Sequence, residues 1–164
     1  MKIVYEHDII QNSAIASLAL RNFCLAYYDA KNKEHGPPMP LVMPILPIAF
    51  NEYMVTKLYS RNFDGGLFKA VTEDATLFTP LQKNMESMYP QTFQALNICF
   101  STGMLNYNRE TAELLPKKTR TRVQTVSTQM FAGFKRIEAT TTRLGYWFAK
   151  LRTEHILTIL NIRF

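Results

Sequence analysis

The pattern of apolar and polar positions predicts helix over most of the chain. In the segment NSAIASLALRNFCLAYYD, apolar residues recur at three- and four-residue steps, so a helix is expected over residues 12–29, capped by Asn12 or Ser13. Short helices are predicted near 52–59, 66–75 and 79–88. A further helix is expected to begin at Pro90 and to end at Gly103, because proline is favoured in the first helical turn and glycine just beyond the last.

The last third of the chain carries the clearest periodicity. From Val126 to Leu151, apolar residues and Thr141 follow one another at steps of three or four residues, which predicts a long amphipathic helix over about 123–151. Gly133 and Gly145 lie inside this pattern and are expected to weaken the helix. A short final helix is predicted around residues 154–160.

The fold class follows from these helices and from one strand signal. The segment MLNYNRETAELLP predicts two short strands around a polar turn at 108–111. Two helices followed by a hairpin are typical of a winged helix. We therefore predict a mainly α-helical, compact single domain over residues 1–164, with a small winged-helix-like β-hairpin and a long C-terminal amphipathic helix.

One apolar segment is unusual because it is rich in proline. The stretch GPPMPLVMPILPIAF contains no charged residue and five of the eight prolines in the chain. Pro37, Pro38 and Pro40 are expected to begin a short buried helix, where a missing N–H group costs little. Pro44 and Pro47 each remove a donor from its interior, so a kink or a break is expected. We expect this backbone to be covered by the core of the domain or by a partner subunit.

The cysteines, the N-terminal segment and the lengths of the apolar runs indicate the cellular compartment. Cys24 and Cys99 lie inside apolar helical patterns, without a CxxC motif or a neighbouring histidine, and are interpreted as two buried thiols in a reducing environment. The segment MKIVYEHDII lacks the features of a signal peptide. No apolar run approaches the roughly 18 residues that a membrane-spanning helix needs. A cytoplasmic protein without membrane contact is expected.

The net charge of +6 is concentrated in one segment. Residues 117–152 contain nine basic residues and a single acid, Glu138, whereas the rest of the chain carries a small negative charge. An acidic protein surface or a nucleic-acid backbone is therefore expected to bind here. The candidate contact residues are Lys117, Lys118, Arg120, Arg122, Lys135, Arg136, Arg143, Lys150 and Arg152.

Three of these cations recur every seven residues along the predicted helix. Arg136, Arg143 and Lys150 would form one stripe, together with Thr140 and Trp147. One interpretation is a solvated face of extended side chains, and the other is a binding surface. If the stripe binds a partner, replacing its three cations with glutamate should abolish association and leave the fold intact.

No catalytic constellation is visible in the sequence. There is no HExxH, no GxSxG and no GxxxxGK[ST] motif, and His7, His35 and His155 are isolated. No catalytic, cofactor-binding or metal-binding residue is predicted, and the protein is expected not to be an enzyme.

Specific DNA reading by the winged-helix-like part is disfavoured. Between Glu86 and Arg109 there is no charged residue. Asparagine and glutamine can read adenine, but cations are needed to neutralise phosphates. A protein-docking role fits this segment better, while a stand-alone winged-helix DNA-binding regulator remains the alternative.

Three stretches, in order, resemble one known family. NSAIASLALRNFCLAYYD is similar to an opening helix in which proline is common at the position of Ser13. PMPLVMPILPIAFN equals in length a proline-framed apolar block of the form PLPLLFLVLPLLLH, with Pro44 as a departure. TTTRLGYWFAKLRTEHILTILNIRF is similar to a K…LGRWFAK…IF..LGVR pattern, with Tyr146 in place of arginine. These are features of the middle components of three-component ABC systems (ABC-3C), including Lamassu-type bacterial defence systems.

The resemblance implies a function that the composition alone does not. It implies a small adaptor without enzymatic activity, acting beside an SMC- or Rad50-like coiled-coil ATPase and an effector subunit, commonly a nuclease. The middle component would couple DNA sensing by the ATPase to the effector, and so stop phage or plasmid propagation. Non-specific contact with the DNA backbone, through the basic segment, belongs to the same expectation.

Overall fold

A computed structural model describes residues 13–117 and 132–164 of the chain. The fold is mainly helical with one two-stranded antiparallel hairpin, which confirms the predicted fold class. The helices are α1 (Ser13–Ala30), α2 (Met39–Val42), α3 (Ile45–Ala49), α4 (Glu52–Leu58), α5 (Gly66–Glu73), α6 (Leu81–Ser101), α7 (Ala132–Ala149) and α8 (Thr153–Ile159). A 3-10 turn at Phe63–Gly65 precedes α5, and the strands are β1 (Leu105–Asn108) and β2 (Glu113–Pro116).

Helix α1 is the centre of the core. Its apolar positions, among them Ile15, Leu20 and Phe23, are buried against α7 and α6. This helix was predicted over residues 12–29 and is observed over Ser13–Ala30, so the prediction from the apolar periodicity is confirmed. The ring of Phe23 packs edge-on against Phe148 of α7, with 5.6 Å between the ring centroids.

The crossing of α1 and α7 is unusually close at Gly145. A Cβ atom at this position would lie 2.6 Å from the carbonyl oxygen of Phe23 and 2.7 Å from the Cβ atom of Ala26. Next to the crossing, the side-chain amide of Asn22 donates to the carbonyl oxygen of Glu138 at 2.9 Å and to the hydroxyl of Thr141 at 2.7 Å. Helix α7 is continuous through Gly145. The absence of a side chain at this position allows α1 to approach α7 closely.

The proline-rich segment breaks into two short helices, as its prolines predicted. The break falls at Pro44, between α2 and α3, and Pro47 lies in the first turn of α3, where an N–H group has no intrahelical partner. Residues 41–49 are all buried. The core of the chain itself therefore covers this segment, which was one of the two expected arrangements.

The hairpin packs against the first residues of the proline-rich segment, Gly36 and Pro37. In the hairpin Leu105 is opposite Pro116 and Asn108 is opposite Glu113, around the predicted turn. The N–H group of Leu114 donates to the carbonyl oxygen of Pro37 at 3.0 Å. A Cβ atom at Gly36 would lie only 1.9 Å from the carbonyl oxygen of Leu114, so only glycine fits where the chain crosses β2.

One predicted helix boundary is wrong. Pro90 was expected to begin a new helix, but it lies inside the continuous helix α6. Buried residues on both sides of it, including Met85, Thr92 and Ala95, pack into the core. Burial of a continuous apolar face outweighs the local cost of about 3 kcal/mol that an interior proline carries.

Other predictions lie partly outside the described residues. The long C-terminal helix is described from Ala132, and its predicted start at Val123 is not among the described residues. Within α7, the periodic positions Phe134, Leu144 and Phe148 are buried. Nothing tests the likeness to a winged helix, which stays a prediction.

Candidate interaction surface

The predicted contact residues fall into three groups in the structure. Lys118, Arg120 and Arg122 lie outside the described residues. Arg136 and Arg143 make contacts within the chain. The other four, Lys117, Lys135, Lys150 and Arg152, have exposed side chains.

Arg136 joins α7 to α4. Its Nη1 atom lies 3.0 Å from Oε1 of Glu52, and its Nη2 atom donates to the hydroxyl of Thr56 at 3.2 Å. The guanidinium also covers the ring of Tyr59, with the Cζ atom 4.5 Å from the ring centroid. Such a combination of an ion pair, a hydrogen bond and a cation–π contact stabilises the packing of the two helices.

Arg143 holds the connection between α4 and α5. Its Nε atom donates to the carbonyl oxygen of Arg61 at 2.7 Å, and Nη1 donates to that of Ala139 at 3.0 Å. The Cζ atom lies 4.8 Å from the ring centroid of Phe63, and partial burial lowers the pKa of the guanidinium. This side chain is part of the folded structure.

The seven-residue stripe therefore does not form one exposed surface. Thr140 and Trp147, which lie between the cations on the same face, are buried. The indole N–H of Trp147 donates to the carbonyl oxygen of Phe63 at 2.9 Å. The spacing correctly predicts that these residues share one face of α7, but this face packs against α4 and the 3-10 turn. Glutamate at all three cations would consequently disturb the fold, contrary to the expectation from sequence.

Arg143 and Lys135 should differ in their contribution to the stability of the fold. Arg143→Glu should lower the free energy of unfolding by about 2–4 kcal/mol, because it removes two hydrogen bonds and places a carboxylate beside backbone carbonyls. Lys135→Glu, on the exposed face of the same helix, should change it by less than about 0.5 kcal/mol. Chemical denaturation followed by circular dichroism measures both. Equal stability of the two variants would contradict the structural role of Arg143.

The remaining exposed cations lie near α7 and the hairpin. Lys150 covers the ring of Tyr146 at 4.9 Å from its centroid, at the edge of a shallow cavity that Phe68 and Leu151 also line. Among the described residues, Lys135, Lys150 and Arg152 form no ion pair. Unlike Arg136, these three side chains are therefore not neutralised by a carboxylate among the described residues.

An apolar groove was not predicted from the sequence. It has a volume of about 390 Å³, and Met39, Met43, Met85, Tyr89 and Phe93 contribute to its walls. The rings of Tyr89 and Phe93 contact each other at 4.6 Å between centroids, although their residues are 55% and 40% exposed. The signal that could have found it is the pair of aromatic residues, one turn apart, at the edge of the uncharged interval after Glu86.

Both cysteines are free and buried, as predicted. The thiol of Cys99 donates to the carbonyl oxygen of Ser17 at 3.3 Å, and burial raises its pKa to about 12. In the part of the chain that the structure describes, no three His, Cys, Asp or Glu side chains lie close enough together to hold a metal ion. No helix within the same residues is long and apolar enough to cross a membrane.

Comparison with known proteins assigns the chain to a family. The family described as ABC-three component (ABC-3C) system Middle Component 3 matches residues 2–164. Neither a curated protein nor a solved structure gives a match. The resemblance to ABC-3C middle components is thereby confirmed, while the narrower assignment to Lamassu stays a prediction. Because the match spans almost the whole sequence, the chain belongs to the ABC-3C Middle Component 3 family.

Proposed function

We propose that this chain is a non-enzymatic adaptor that links an SMC- or Rad50-like coiled-coil ATPase to an effector subunit of the nuclease type, in immunity against phages or plasmids. The observation that carries the proposal is the family match over residues 2–164, since a middle component of a three-component system works with partner subunits. The adaptor would couple DNA sensing by the ATPase to the effector.

The exposed cations support the proposal with a physical means of attachment. Lys135, near the start of α7, and Lys150 and Arg152, just beyond its end, are exposed and have no carboxylate partner among the described residues. Charged groups of this kind raise association rates and select oppositely charged surfaces. We assign them to an acidic surface of the ATPase, with non-specific contact to the DNA backbone as a further use.

The proposal is tested by co-expressing the tagged chain with the other two subunits of its system. The wild-type chain should retain the ATPase. The triple variant Lys135→Glu, Lys150→Glu, Arg152→Glu should retain at least about tenfold less ATPase, because three attractive contacts become repulsive. The matched control carries the same change of charge at Lys31, Lys33 and Lys57 and should retain the ATPase normally.

The same samples address enzymatic activity and DNA. The purified chain alone should hydrolyse no ATP and cleave no DNA. If the wild-type chain failed to retain either subunit and instead bound a palindromic duplex as a homodimer, the stand-alone regulator would replace the adaptor. Weak, sequence-independent and salt-sensitive DNA binding, lost in the triple variant, would support the contact with the DNA backbone.

A further inference from the structure

The apolar groove continues into a second cavity along α6. Gln82, Glu86, Tyr89, Phe93 and Phe100 follow one another at steps of four, three, four and seven residues, so they form one stripe on the helix. Four of them line the groove and Phe100 lines the second cavity, of about 470 Å³. Met39 of α2 lines both. From Gln82 to Phe100 the stripe is about 27 Å long, which is the length of a helix of about 18 residues.

Gln82, at one end of the groove, makes its hydrogen bonds within the chain. The side-chain amide of Gln82 donates to the carbonyl oxygen of Arg163 at 3.1 Å and accepts from its N–H group at 3.1 Å. The same amide nitrogen donates to Oε1 of Glu86 at 2.8 Å. Apart from Gln82, Glu86 and Arg163, the residues that line the groove are apolar, and its methionine and aromatic side chains are the kinds that adapt to an inserted helix.

The other end of the surface is cationic. Arg109 and Lys117 line the second cavity beside Asn106 and Tyr107, and no acidic residue is among its lining residues. Neither cation forms an ion pair in the part of the chain that the structure describes. An apolar ligand alone would leave these charges unused, so the surface favours a ligand that is apolar along most of its length and acidic at one end.

We infer that this surface binds an amphipathic helix of another subunit of the three-component system, with its apolar face in the groove and acidic residues against Arg109 and Lys117. This inference rests on the proposed function, because it names the chemistry of a partner segment. A second copy of the chain fits less well, since two chains of net charge +6 repel each other. In helix-in-groove binding an amphipathic helix lays its apolar face into an apolar groove, and the groove here has the length and the lining for such a helix.

The test uses the chain co-expressed with the other two subunits, and one matched pair of variants. Phe93→Glu places a charge inside the groove and should weaken retention of one subunit at least about tenfold. Gln94→Glu introduces a carboxylate at an exposed position of the same helix that lines neither cavity, and should leave retention unchanged. Equal retention by both variants, with the wild-type complex intact, would overturn the inference and leave the proposed function standing.

A second readout tests the acidic end of the ligand. For the wild-type chain, the Kd of the affected subunit should rise with salt concentration, whereas Arg109→Glu with Lys117→Glu should bind more weakly at low salt and lose most of that salt dependence. Lys31→Glu with Lys33→Glu is the control of equal charge change. An unchanged salt dependence in the Arg109 and Lys117 variant would contradict the cationic end of the surface.

Two measurements on the isolated chain exclude other occupants. Phe93→Glu should leave the unfolding temperature within about 2 °C of the wild type, because the ring is already partly exposed. A much larger fall would show that the groove is filled within the chain and would overturn the inference. Light scattering should give the same mass for Phe93→Glu and wild type. A dimer that Phe93→Glu converts to a monomer would instead assign the groove to a second copy. Failure of the wild-type chain to retain any subunit would overturn the proposed function as well.

Discussion

Replacing Trp147 with alanine is expected to lower the free energy of unfolding by about 3–5 kcal/mol. The side chain is 2% exposed and is among the largest fully buried ones of the described residues. Its loss leaves a cavity between α7 and the 3-10 turn, and it also leaves the carbonyl oxygen of Phe63 without the indole donor. Because Trp147 is the single tryptophan of the chain, unfolding should be followed by far-ultraviolet circular dichroism.

Trp147→Phe separates the contribution of apolar packing from that of the hydrogen bond to Phe63. Phenylalanine keeps most of the apolar volume but cannot donate to Phe63, so the expected loss is smaller, about 1–3 kcal/mol. If Trp147→Ala were no less stable than Trp147→Phe, the side chain would not be packed as described. Both variants should expose the segment that Arg143 also holds, and limited proteolysis between α4 and α5 should be faster in each.

Gly145→Ala provides a test in which two effects have opposite signs. In an exposed helix, replacing glycine with alanine stabilises by about 0.5–1 kcal/mol. At Gly145 the added Cβ atom would meet the carbonyl oxygen of Phe23 at 2.6 Å and the backbone nitrogen of Tyr27 at 2.9 Å. Helices α1 and α7 would have to separate, so we expect a net loss of about 1–3 kcal/mol, measured by chemical denaturation.

Gly65→Ala is the matched control for this prediction. The nearest atom to its added Cβ is Cδ of Lys69, at 2.9 Å, which belongs to a flexible exposed side chain that can move away. Its backbone is in the right-handed helical region, which alanine adopts without strain. The control should therefore be within about 0.5 kcal/mol of the wild type. A stabilised Gly145→Ala variant would contradict the close crossing of the two helices.

Local patterns were sufficient for most of the helices and for the hairpin. In α1 the apolar period alone located the buried face, and in the proline-rich segment the backbone chemistry of Pro44 located the break. Pro90 shows where local reasoning fails. Its effect on α6 is decided by the packing of residues on both sides of it against distant helices, and a local proline signal contains no information about that packing.

The candidate surface was predicted less well, for a related reason. Arg136 and Arg143 contact residues that are 84 and 82 positions away in the chain, so their spacing along α7 could not reveal that they are held inside the fold. The apolar groove is assembled from α2, α6 and the segment after α8, and no single one of these carries its full pattern. Lys135, Lys150 and Arg152, in contrast, are as exposed as their sequence context predicted.

The most direct test of the adaptor function asks whether this chain is needed to connect the two other subunits. The ATPase, carrying an affinity tag, is incubated with the effector in the presence and absence of the chain. We predict that the effector is captured only when the chain is present, and that the Phe93→Glu or the Lys135, Lys150 and Arg152 glutamate variants restore little capture. Equal capture of the effector without the chain would contradict the adaptor function.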